Sequence, residues 1–573
     1  MPGLAHAPKW KADPGPAAGL LSRSSTNATS ALVEAFRLPD TMNVLVKTKA
    51  AATLHRLAAH LLVLLTAALI LPGPALASLP DHLAEIGYQQ LIDELGGEPL
   101  LEQTAPLTQV EAAESEGDRL FSWFPDPGDE RLSGNTIINR LVANEGRHSG
   151  HATVVGSLFY GSHSLLANRQ NLVYAYPMRY WATRGFLQAS TAAEEPRIAG
   201  SRVANHSWIG SMDTPEGNVM VLKRLDWVVE KDDFIQCVGT SNHGDVEPLL
   251  ESAFNVIVAG VASGGHGTGT LDLDPVYVKG RTRPHVVVPV TATSNATAVV
   301  SSAAALLVDL GHSRPGLSLE EPATNRFGDL VYPAENSETI KAAILAGADR
   351  VPRDPNHTGI ADYGLIPGRM SENGLDPTYG AGQLNIRNGW HIIAAGEQNS
   401  DEDGGVAIGP EGFDYDPHFG GAGCNGTGTY TFRATGTRPE LTASLVWNAE
   451  IEDIHDALWE TVIVRDLDLE LFDVTTGREV AQSKSRLDNS ENLWVPLTSG
   501  HEYRITVQVA ENREPFDWDY SLAWRVDEAP ERSVLVPGPG GRYCIVAALG
   551  LLFLGGSIAR KKKNPAPEQF PQE

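Results

Sequence analysis

Between residues 105 and 395, short apolar runs rich in β-branched residues alternate with segments of helical pattern. The runs cover 154–158, 172–176, 219–222, 234–238, 256–261 and 286–290, and the helical patterns cover 222–229, 246–253 and 296–310. Parallel strands need a long crossover, usually a helix, so this alternation predicts an α/β domain with a mainly parallel sheet flanked by helices. A polar, Gly-rich linker spans 396–412. Beyond it, at 413–528, short strands separated by Gly, Asn and Asp turns predict a C-terminal β-sandwich. Within it, the alternation of 466–472 sends Leu467, Leu469 and Leu471 inward and the carboxylates outward.

The two ends read as trafficking segments. Lys47, Lys49 and Arg56 precede the apolar run 57–71 and then Ala75-Leu76-Ala77, the layout of a signal peptide over residues 1–77 cleaved after Ala77. Met42 is the candidate true start. A short amphipathic lead-in occupies 78–104, and 529–541 form a second linker. Residues 542–573 predict a short transmembrane or sorting tail: an apolar stretch over 543–559, then the basic run Arg560-Lys-Lys-Lys563. These features predict export, with the protein extracellular or held at the cell envelope through its tail, and sorting machinery as a partner.

Net charge is −27; without the two ends, which carry +4 and +3, the body carries −34. An acidic body of this kind argues against nucleic-acid partners. Cys237, Cys424 and Cys544 cannot supply a disulfide framework, and Cys237 and Cys424 are expected to be free. The fold therefore rests on its apolar core.

The most informative stretch is Pro284-His-Val-Val-Val-Pro-Val-Thr-Ala-Thr-Ser294-Asn-Ala-Thr, which runs into the Ala-rich helix at 296–310. A serine at a helix N-terminus is either a capping residue or a nucleophile placed where the helix dipole favours developing negative charge. Serine hydrolysis also needs a base, an acid to orient it and donors for the oxyanion. His151, after Ser149-Gly150 and ahead of a helical pattern, is the candidate base, with His148 its rival. Asn242, at the end of the buried run 234–238, is the candidate oxyanion donor.

Together these blocks resemble the subtilisin-like serine peptidases (subtilases), in that family's order. His151-Ala-Thr-Val-Val, Asn242-His-Gly and Ala292-Thr-Ser294-Asn-Ala-Thr are similar to its histidine, asparagine and serine blocks. Val256-Ile-Val-Ala-Gly260 and Tyr379-Gly-Ala-Gly-Gln-Leu-Asn385 resemble two further segments, and Pro284-His-Val-Val-Val-Pro289 resembles the strand before the serine. Val203-Ala-Asn-His-Ser-Trp-Ile-Gly210 resembles the segment that pairs with substrate backbone, which assigns substrate binding to Ser207, Trp208 and Gly210. The resemblance covers residues 105–395 and implies a subtilisin-like fold, polypeptide substrates and a Ser–His–acid triad acting through an acyl-enzyme. It also brings calcium in as a cofactor, with no ligand residue that can be matched and no other metal.

The departures are specific. The family's Asp-(Thr/Ser)-Gly acid block is absent, and at its place Val110-Glu111-Ala112 presents a glutamate. Glu111 is the expected acid; Asp118 and Asp126 are its rivals. Ala292 and Ala298 replace a glycine and a proline around the serine. The acidic run at 401–403 lacks the spacing of a calcium loop and reads as solvated linker. The competing functional class is a surface adhesion or scaffold protein built on a catalytically degenerate subtilase fold. A carboxylate beside His151 Nδ1 would separate the two.

Overall fold

The computed structural model describes residues 80–99, 101, 106–115, 121–141, 147–191, 194–243, 249–350, 370–420, 426–452, 461–510, 516–529, 534–537 and 543–546. The expected signal peptide, Asp118, Cys424 and most of the expected tail lie outside these residues.

Seven strands build the principal sheet: β1 Leu107–Glu111, β2 Thr136–Asn139, β3 Leu172–Pro177, β4 Val203–His206, β5 Ile235–Gly239, β6 Ile257–Val261 and β7 Val286–Val288. Their order is β7-β6-β5-β4-β1-β3-β2, and every pairing is parallel. Strands β1, β4, β5, β6 and β7 are buried along their whole length; β5, β6 and β7 accordingly appear in the sequence as apolar runs, whereas β1 and β4 bury polar side chains such as Gln109, Glu111, Asn205 and His206. Two runs that predicted strands are helical instead. Residues 154–158 belong to α3 Gly150–Phe159, which follows α1 Asp81–Glu85 and α2 Tyr88–Leu95 in the lead-in. Residues 219–222 belong to α4 Pro215–Asp232, capped by Thr214 with Pro215 at its first position. A four- or five-residue apolar run has no period of its own, so the cap outside it decides the outcome. Of the helix predicted at 246–253, the described part holds only the 3₁₀ turn Leu250–Ser252.

The central helix is α5, Thr293–Ser313, buried from Ala296 to Gly311. By length and composition it is apolar enough to cross a membrane, yet 89% of its most apolar 18-residue stretch is buried inside the fold. It approaches the sheet so closely that a Cβ on Gly239 would stand 2.7 Å from Thr297 Oγ1. Two further helices, α6 Ser337–Gly347 and α7 Ile386–Ala394, complete this layer.

The C-terminal region is a sandwich of two four-stranded antiparallel sheets. One comprises β8 Glu411–Phe419, β10 Pro439–Val446, β13 Ser490–Pro496 and β15 Trp518–Glu528; the other comprises β9 Thr427–Arg433, β11 Leu467–Asp473, β12 Arg478–Ser483 and β14 Glu502–Val509. Leu467, Leu469 and Leu471 enter its core as their alternation predicts. The sandwich is docked on α6: Asn448 Nδ2 donates to Ser337 Oγ at 2.9 Å, and Arg525 Nε to the Ala346 carbonyl at 2.9 Å. Tyr543–Val546, predicted to begin a membrane span, form a strand paired with Val534–Pro537 of the expected linker. Cys237 is buried with a free thiol.

Candidate active site

In an open parallel sheet, binding sites form beyond the carboxyl ends of the strands, where the strand order changes direction. Here that point is β1. Glu111 is its last residue, and Ser207 and Asn242 follow the ends of β4 and β5.

Glu111 is 1% exposed, and its Oε2 lies 3.0 Å from His151 Nδ1. The histidine stands in the first turn of α3, whose N-cap Ser149 accepts from the Ala152 N–H. Gln109, itself held at both ends of its amide, supports the carboxylate. Gln109 Nε2 donates to Glu111 Oε1 at 2.8 Å and to the Ala152 carbonyl at 2.9 Å, and Tyr160 donates its hydroxyl to Gln109 Oε1 at 2.7 Å. Gly156 makes room for this contact, since a Cβ there would stand 2.7 Å from Tyr160 Oη. Burial, reinforced by the charge of Glu111, raises the Tyr160 pKa well above its ordinary value, so the phenol remains a donor.

The rivals of this pair find each other. His148 Nδ1 lies 3.1 Å from Asp126 Oδ1, with both side chains largely exposed. Gln109 and Tyr160 were missed in the sequence. The available signal was a glutamine two before Glu111 in the same strand, and therefore on the same face.

The serine half is built differently. Ala292, in extended conformation, is the N-cap of α5, so Ser294 lies in the first helical turn and does not cap the helix. Asn242 Oδ1 accepts from both the backbone N–H and the hydroxyl of Thr293, at 2.8 and 3.1 Å. That contact fixes the orientation of the amide and leaves its Nδ2 donors for another partner. Among the described residues nothing accepts from the Ser294 N–H, one of the orphan donors of a helix start, and the Ser294 hydroxyl makes no hydrogen bond. The Ser294 carbonyl accepts from Ser207 Oγ at 2.8 Å, which ties the segment after β4 to the helix.

His151, Ser294, Asn242, Ser207 and Trp208 line one cavity of about 90 Å³, together with Ile209, Gly239, Thr240 and Thr293. Gly210, expected to contact substrate, is not among the lining residues; it packs on Met178 and Trp208. No group of three or more His, Cys, Asp or Glu side chains suited to a metal ion occurs among the described residues.

Fold and site together define an α/β protein of subtilase-like architecture, with an acid, a histidine, an asparagine and a serine at the carboxyl ends of the strands of its parallel sheet. Among solved structures, it is similar to the PatG macrocyclase in complex with peptide: 13% identity, TM-score 0.35, covering 56% of this chain and 99% of that one. Tripeptidyl peptidase 2 aligns at 11% identity and TM-score 0.24, covering 66% of this chain and 40% of its own. The pre-peptidase C-terminal domain of a collagenase from Bacillus anthracis aligns at 16% identity and TM-score 0.15, covering 21% of this chain and 92% of that domain. No family model and no curated protein matches the chain.

Proposed function

We propose that the chain is an exported serine endopeptidase. The observation that carries this reading is the 3.0 Å contact of buried Glu111 with His151 Nδ1, in a site whose cavity also holds Ser294 and Asn242. Ser294 Oγ attacks the scissile peptide carbonyl while His151 Nε2 takes the hydroxyl proton. Glu111 holds the imidazole in the required tautomer and stabilises the imidazolium. The oxyanion is received by Asn242 Nδ2 and the Ser294 N–H. His151 then passes its proton to the leaving amine, and water hydrolyses the acyl-enzyme by the same steps in reverse order.

A glutamate serves here because its extra methylene is absorbed by the Gln109–Tyr160 support. The competing scaffold reading expects an acid displaced from the histidine, and the observed contact favours the enzyme. The proposal includes export through residues 1–77, polypeptide substrates and retention at the envelope by the C-terminal tail. The direct test is labelling of the purified protein by a fluorophosphonate. Labelling and peptide hydrolysis are expected, both lost in Ser294→Ala; an unlabelled, inactive wild-type protein overturns the proposal.

A further inference from the structure

The face of the sheet behind the cavity carries a concentration of polar atoms without partners. Strand β4 pairs with β5 in parallel with His206 opposite Val238, so the register carried two residues forward sets Trp208 beside Thr240. Both line the cavity. Among the described residues, the indole Nε1 of Trp208 and the hydroxyl of Thr240 are buried without a hydrogen-bond partner. His206 lies behind Trp208, with ring centroids 5.9 Å apart, and Trp181 lies against His206 at 4.6 Å. His206 Nε2 meets Gln236 Oε1 at 2.8 Å; because Gln236 offers its oxygen, that nitrogen bears the proton and Nδ1 is a bare lone pair. His206 Nδ1 and Trp181 Nε1 are also buried without partners.

Polar atoms that have lost water and gained nothing are costly, and four gathered around His206 and Trp208 call for an explanation. Here they form a complementary set: two indole N–H donors, one hydroxyl that can give or accept, and one acceptor. We infer that this face recognises a neutral primary carboxamide, the side chain of a glutamine or asparagine on the acyl side of the cleaved bond. The amide oxygen takes the indole N–H of Trp208, and the amide NH₂ donates to Thr240 Oγ1 and toward His206 Nδ1. A carboxylate of the same shape has no proton for His206, and it would be desolvated without any cation lining the cavity. A lysine would face indole donors, and a leucine would leave every group unpaired. The inference rests on the peptidase reading for the position of the substrate, but not for the recognition itself.

The test uses full-length protein in two arms. In the first, wild-type enzyme, untreated with fluorophosphonate, cleaves matched peptides bearing Gln, Asn, Glu, Leu or Lys before the scissile bond. The carboxamides are expected to exceed the others in kcat/KM by at least about 10-fold, since sites built to hydrogen-bond a group reject analogues lacking it. Thr240→Val, which deletes only an unpartnered hydroxyl, should shrink the Gln-to-Leu ratio several-fold. A flat profile, or a ratio unchanged in Thr240→Val, overturns the inference while leaving the peptidase reading standing. In the second arm, Ser294→Ala is titrated with short peptides ending in Gln, Glu or Leu, followed by tryptophan fluorescence. Binding of the Gln peptide at least about 10-fold tighter supports the inference even if the wild type is unlabelled, and equal binding of all three overturns it.

Discussion

The two halves of the site are finished to different degrees. On the acid–histidine side every polar atom of Gln109 is engaged, and a chain of hydrogen bonds runs from Tyr160 through Gln109 and Glu111 to His151. On the serine side the Ser294 hydroxyl and N–H, the Thr240 hydroxyl and the Trp208 indole have no partner among the described residues. On the peptidase reading, the contrast separates a part that is preorganised from a part kept open for a ligand. A base must hold one tautomer before substrate arrives, whereas donors for an oxyanion or a side chain are useful only while they remain open.

The sharpest way to break this comparison is Glu111→Gln. Gln109 is locked by Tyr160 on its oxygen and by the Ala152 carbonyl on its nitrogen, so it can present only an N–H toward position 111. The new amide must answer with its oxygen and turn its own NH₂ toward His151 Nδ1. That forces the imidazole into the tautomer that cannot accept the Ser294 proton. Turnover should fall about 10⁴-fold, the scale known for the acid-to-amide change in a serine triad. Steady-state kinetics on a purified, folded variant measure this, and a loss under 10-fold would remove Glu111 from the triad. Asn242→Ala tests the open half. A fall on the order of 100- to 1,000-fold in kcat with KM little changed is expected, because the amide acts on the oxyanion and not on bound substrate. A change confined to KM would instead make Asn242 a ground-state contact.

How much of this was legible beforehand follows from where the information lies. Strands β5, β6 and β7 and helix α5 are visible because a buried strand or core helix must be largely apolar along its length. Their boundaries are harder to place: runs 154–158 and 219–222 are β-rich by composition, and Ser149 and Thr214, whose caps decide for helix, lie outside the runs themselves. Glu111 was found by its place at the end of an apolar strand. Gln109 and Tyr160 lie 51 residues apart and meet only through the packing of α3 on β1, a distance no local pattern spans. The orphaned set at Trp208, Thr240 and His206 was equally hidden, because it depends on the β4–β5 register.

The serine half should also carry a pH dependence of stability, through His206. Burial lowers its pKa from 6.5 to about 4, with the hydrogen bond to Gln236 opposing the shift. An unfolded chain binds a proton below about pH 6.5 that the folded histidine refuses until about pH 4. This contribution to stability is therefore complete above pH 6.5 and is lost as pH falls through that window. Between pH 7.5 and 5 it amounts to about 2 kcal/mol. Denaturant unfolding of wild type and His206→Leu at both pH values isolates it: the wild type should lose about 2 kcal/mol more than the variant on acidification. Equal losses would place His206 in a solvated site.

The smallest expected effect falls on the finished half. Tyr160→Phe removes a single hydroxyl that touches neither substrate nor the reacting atoms, which makes Tyr160 a positioning residue. Its loss leaves Gln109 Oε1 buried with no donor, a destabilisation of about 1–3 kcal/mol. The phenyl ring still fills the same space, so the fold should survive. Glu111 keeps its contact with Gln109 but through an amide no longer fixed at its far end. Turnover should fall roughly 10-fold, about 1.4 kcal/mol of transition-state stabilisation, with KM and the oxyanion step unaffected. A purely structural role predicts lowered stability with unchanged kcat per folded molecule. Active-site titration with the fluorophosphonate counts those molecules, so a kcat per titrated site equal to that of wild type would confine Tyr160 to packing and end the relay at Gln109.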